Sequence, residues 1–96
     1  MKYQNEILSF SKVQYQNGVL GIQVMCQDGP FATLSTNLDV KPSEGCFWLK
    51  LWSENQELAK FMTSNGYVVL TGKVAQAGYA DAYEAKLTEK GQLFVF

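Results

Sequence analysis

Two Asx-Gly dipeptides, Asn17-Gly18 and Asp28-Gly29, bracket a run of alternating apolar residues, and no other feature of the 96-residue chain narrows its fold as much. Such dipeptides supply the positive backbone angles of tight hairpin turns. Between them, Val19 to Gln27 (VLGIQVMCQ) places Leu20, Ile22, Val24 and Cys26 on one face of a strand. Lys12 to Tyr15 leads into the first turn, and Phe31 to Asn37 (FATLSTN) leaves the second after Pro30. These segments predict two consecutive hairpins, the start of an antiparallel meander.

The rest of the chain keeps this rhythm with one interruption. Residues 2 to 10 alternate loosely and predict a first strand, while LDVKPSEG, after Asn37, is loop chemistry. Cys46 to Trp52 (CFWLKLW) is too short and too aromatic for a helix and reads as a strand, with Phe47, Leu49 and Leu51 on one face and Trp48, Lys50 and Trp52 on the other. A helix over about 54–64 follows. Ser53 and Gln56 have capping-box spacing, Leu58, Phe61 and Met62 share one face, and Asn65-Gly66 provides a left-handed stop. Tyr67 to Gly72 (YVVLTG) is a β-branched strand, and the alanine-rich stretch to Lys90 reads as an extended segment pairing with it. Gln92 to Phe96 (QLFVF) reads as a terminal strand that needs a docking partner, in the sheet or in a second subunit. The fold class is α+β in the order β-β-β-β-α-β-β: one domain over 1–96, an antiparallel sheet of about five to seven strands, and one helix packed across it. The helix residues are expected to meet Leu20, Ile22, Val24, Leu34, Leu49, Val69 and Leu70.

Composition excludes several chemistries. A domain of this length buries about 65% of the surface that its unfolded chain exposes, and 47% apolar residues suffice for a core without metal or disulfide staples. There is no histidine, and Cys26 and Cys46 stand twenty positions apart, so buried free thiols are expected and neither a structural metal nor a cofactor. All eight basic residues are lysines. Without arginine, and with a formal charge of −1, specific duplex recognition is disfavoured. An apolar run of membrane-spanning length is absent, and MKYQNEILSF lacks the apolar core of a signal peptide, which makes the cytoplasm the expected location.

Candidate site residues fall in two places. Trp48 and Trp52 flank a lysine on one strand face that either forms an interface or lies under the helix. Beside them stand Glu54 and Asn55, the latter not required by helix propensity. The second place is the run Tyr79, Asp81 and Tyr83, which alternates on one strand face as either an interface patch or a tyrosine-lined core edge. Catalysis ranks below binding: a serine nucleophile at Ser53 would lack a histidine base, no carboxylate pair is spaced for glycoside hydrolysis, and phosphate-loop motifs are absent.

GPFATLSTNL (Gly29 to Leu38), CFWLKLWSENQELAKFMTSNG (Cys46 to Gly66) and the tyrosine-containing strand after LTGK resemble a family of small bacterial proteins, a domain of unknown function carried on conjugative elements, plasmids and phages. The resemblance spans Lys12 to Leu87 and departs from the family at Lys73 to Gly78, KVAQAG. It implies a non-enzymatic protein-binding module, an inhibitor of a host defence system of the anti-CRISPR or antirestriction type, with a host protein as partner. The alternative is a single-stranded nucleic-acid accessory protein that stacks bases on Trp48, Trp52, Tyr79 and Tyr83. Homodimerisation through the C-terminal strand is a further expectation.

Overall fold

Both hairpins form, with Gly18 at φ 87° in the first turn, while the second turn is Gln27-Asp28, and Gly29, at φ 127°, already pairs with Cys26. A computed structural model describes residues 1–96 apart from the side chain of Glu54. The chain is α+β. Strands β1 (Lys2–Tyr3) and β2 (Glu6–Ile7) form a small hairpin, and β3 (Ser9–Gln14), β4 (Leu20–Cys26) and β5 (Gly29–Thr33) form an antiparallel sheet in the order β3-β4-β5. A second sheet has the order β6-β7-β9-β8, from β6 (Ser35–Thr36), β7 (Phe47–Leu49), β8 (Val68–Ala77) and β9 (Ala80–Leu87). Ser35 joins the sheets: its buried hydroxyl accepts from the Ile22 amide at 2.9 Å and lies 2.9 Å from the Tyr15 hydroxyl.

Alternation along β4 delivers Ile22 and Val24 to one core with Phe10, Leu34, Phe47, Leu49 and Ala85. Helix α1 (Gln56–Ser64) closes that core with Leu58, Ala59 and Met62. Phe61 sits at its rim, 4.8 Å from the Tyr3 ring centroid. The other face of the β6-β7-β9-β8 sheet carries a smaller core, in which Trp48 packs with Val19 and Ala82 beneath the 37–46 loop.

Four sequence expectations are corrected. The 2–10 segment is not one strand, because Gln4 (φ 49°) and Asn5 (φ 66°) make a tight turn between β1 and β2. The capping box does not start the main helix: Ser53 lies at φ 62° in a 3₁₀ turn over Ser53–Asn55, and Asn55 is the N-cap of α1 without a side-chain capping bond. Residues 92–96 are not a strand, because the Thr88 hydroxyl accepts from the Gly91 amide at 3.0 Å and caps helix α2 (Glu89–Gln92). The chain then touches β3 through a single parallel bridge, Phe10 to Val95. Val69 and Leu70 are not core residues but 42% and 43% exposed, since β8 is the last strand of its sheet and has a neighbour on one side only.

Candidate functional site

One surface that the fold leaves open is the β8–β9 hairpin. Its two-residue turn, Gly78-Tyr79, has positive φ only at Gly78 (67°), as a type II′ hairpin turn requires. Tyr79 stands fully in solvent at the tip, with Asp81 exposed beside it. Along β8, Val69, Leu70 and Val74 are exposed too, and they face opposite sides of the sheet: Leu70 pairs with Ala85 and Val74 with Tyr83 on the main-core side, whereas Val69 pairs with Lys86 on the other.

One bulge interrupts this edge, between Leu70 and Val74, and a buried carboxylate holds it. Glu84 on β9 is 2% exposed. Its Oε1 accepts from the Thr71 hydroxyl at 2.5 Å and its Oε2 from the Ser43 backbone N–H at 2.8 Å. Lys73 Nζ donates to Ser43 Oγ at 3.0 Å, and Gly72 takes φ 103° so that Thr71 and Lys73 both turn toward the carboxylate. Burial works to raise the Glu84 pKa, but the hydrogen bonds from Thr71 and Ser43 together with the Lys73 charge outweigh it and hold the carboxyl below its ordinary value. One side chain thereby fastens the 37–46 loop and the β8 bulge to the same strand.

The cluster has the residue types of a nucleophilic site and the wrong polarity for one. Burial, then the Glu84 charge and a hydrogen bond to it, push the Cys46 thiol up, away from the thiolate that attacks. Lys73 donates to the serine that it would have to deprotonate. The adjoining cleft, lined by Gly18, Val19, Lys41, Pro42 and Ser43, has a volume of about 200 Å³. That is smaller than the roughly 300–1,000 Å³ of ordinary ligand pockets.

No family model, curated protein or solved structure matches the chain.

Among the residues singled out from the sequence, the hairpin gathers Tyr79, Asp81 and Tyr83, although Tyr79 occupies the turn and Tyr83 is half-buried. The tryptophan face is a correction: Trp48 is 2% exposed and its indole N–H donates to the Val40 carbonyl at 2.7 Å, because the 37–46 loop covers that side of the sheet. Trp52 is half-buried against the same cluster, so the two rings give no open stacking platform for bases. Asn55 is 5% exposed, and its Nδ2 donates to the Lys50 carbonyl at 2.7 Å, joining the end of the β7 segment to the helix start. The Glu54 side chain lies outside what the structure describes. Replacing Asn55 by alanine leaves that carbonyl without its partner, and a loss of about 1–2 kcal/mol is expected in urea unfolding. Partner binding by the folded variant is expected to be unchanged.

Glu84, Ser43 and Thr71 escaped the sequence reading. In alternation Glu84 looks like a solvated neighbour of Lys86. The available signal was Ala80 and Ala82 on the same face, since a strand face of small apolar residues suits a covering loop better than water.

Proposed function

We propose that this chain is a non-enzymatic protein-binding module that works through its β8–β9 hairpin. The observation behind this reading is that one edge hairpin exposes four apolar side chains, Leu70 and Val74 on one face, Val69 on the other and Tyr79 at the tip. Surface aromatic and aliphatic groups gathered in this way mark interfaces, and tyrosine is a frequent anchor among them. Catalysis is disfavoured by the raised thiol of Cys46 and by the donor role of Lys73. The lack of arginine and the formal charge of −1 fit a protein partner better than nucleic acid.

The resemblance to a family carried on mobile elements supplies the setting for this reading. In that setting the protein works in the cytoplasm, its partner is a host protein, and occupying the partner's working surface inhibits a defence function. Among the described residues no helix is long and apolar enough to cross a membrane.

The test is capture from a bacterial lysate with the tagged full chain and with Tyr79→Ala, washed at low and at high salt. A host protein that survives the high-salt wash is expected on the unmodified chain. The tyrosine variant is expected to hold it roughly 30-fold more weakly, the effect of about 2 kcal/mol at a hot spot. Its melting temperature should stay put, because an exposed side chain away from caps and core contributes within about 0.5 kcal/mol. Retention of nucleic acid alone, released by salt, would overturn the reading.

A further inference from the structure

Resting on the protein-binding reading, we infer that β8 is a strand-addition edge: it takes an extended segment of the partner chain as a fifth strand of the β6-β7-β9-β8 sheet. The other strand edges are blocked or brief. The outer side of β3 is met by the C-terminal residues, where the Phe10 N–H donates to the Phe94 carbonyl at 2.8 Å and the Phe96 N–H to the Phe10 carbonyl at 3.2 Å. The outer strand β5 carries Pro30, which has no N–H to offer, and its pairing with β4 slips between Val24 and Met25. Strand β6 is two residues long. Strand β8, in contrast, runs for ten residues, the longest among the described strands, and contains no proline. Its one charged residue, Lys73, is already engaged with Ser43. It thus lacks most of the devices that keep natural edges from pairing, save for the bulge that Glu84 holds.

Magnitude decides the occupant. Ten residues span about 33 Å, and a strip about 10 Å deep along them offers roughly 330 Å². A stable association of two folded copies buries about 800 Å² on each. The edge by itself falls well short of that, whereas peptides added to sheet edges gain affinity from main-chain hydrogen bonds and specificity from alternate side chains. The incoming segment therefore alternates: apolar where it lies against Leu70 and Val74, and carboxylate-bearing on the opposite face, where Lys86 is exposed beside Val69.

The probe is a phage-displayed library of random dodecapeptides panned on the immobilised chain, followed by synthesis of the enriched peptides. Expected are alternating apolar sequences with an Asp or Glu, at least tenfold slower amide hydrogen exchange within residues 68–77 on binding, and at least tenfold weaker binding when alternate peptide nitrogens are methylated. Leu70→Lys combined with Val74→Lys should weaken the same peptides tenfold or more, while Ile7→Ala, exposed on the β1–β2 hairpin, leaves them unaffected. Methylation is performed on the ligand, so the result stands even if the double variant folds poorly. Peptides that lose affinity with Tyr79→Ala yet tolerate N-methylation would overturn strand addition and leave the broader protein-binding reading intact. Protection of β8 in a concentration-dependent dimer without peptide would overturn it in favour of a second copy, and a library without enriched sequences would overturn it outright.

Discussion

Replacing Glu84 by alanine is expected to lower the melting temperature by about 10–20 °C, far more than a glutamate on a strand would ordinarily contribute. A carboxylate that is 2% exposed is tolerated because donors surround it, among them the Thr71 hydroxyl at 2.5 Å and the Ser43 amide at 2.8 Å. Removal leaves the Ser43 amide without its acceptor and releases the loop over Trp48, at a cost of about 2–4 kcal/mol. For a domain of this size each kcal/mol moves the melting temperature by about 5 °C. Glu84→Gln keeps the shape but turns an NH₂ toward one of the donors, so an intermediate loss is expected.

The same carboxylate gives a pH signature. Its folded pKa lies below the ordinary 4.5, so the folded state releases this proton more readily than the unfolded chain does. Its contribution is fully present above that ordinary value and is lost as the pH falls through the lowered one. The stability gap between the unmodified chain and Glu84→Gln should therefore be constant near neutrality and narrow below about pH 4.5. Parallel stability curves across that window would show that Glu84 holds neither the loop nor the bulge.

That clamp marks the boundary of what the residue pattern discloses. Alternation and Asx-Gly turns act locally, so β4, the two hairpin turns beside it, β7 and the apolar face of α1 could all be read from the sequence alone. Position within a sheet is not local. YVVLTG reads as a core strand, and it became an edge because β9 inserted between β7 and β8, leaving Val69 and Leu70 in water. The tryptophans misled for a related reason: alternation tells which residues share a face, and the ten-residue loop 37–46, which carries no helix or strand signal, decided that Trp48's face would be covered. Within the candidate site, Tyr79 and Asp81 were legible as an amphipathic patch. Glu84, Thr71 and Ser43 meet only through pairings across separate segments, and no spacing in the chain encodes that meeting.

Gly91→Ala is expected to destabilise the chain by about 3 kcal/mol, at the upper end for an added methyl, because the obstacle is backbone. A Cβ at Gly91 would run into the carbonyl group of Tyr67. That oxygen is fixed in place by the Thr88 N–H at 3.0 Å, and the Tyr67 ring lies between Phe94, 5.4 Å away edge-on, and the Lys90 ammonium, 4.7 Å above it. The methyl must push α2 off this segment, and the displacement carries Phe94 to Phe96 away from the β3 edge at Phe10. Gly45→Ala provides the comparison: a Cβ there meets nothing within 4 Å, and only its φ of 79° resists, worth about 1–2 kcal/mol. Urea unfolding measures both, and amide exchange at Phe10 reports whether the C-terminal residues have left the edge. The experiment also separates the two accounts of residues 92–96. If they formed an independent strand, Gly91 would be an ordinary turn residue and alanine would cost little. If α2 packs against Tyr67, Phe10 should lose protection in the alanine variant before the rest of the sheet does.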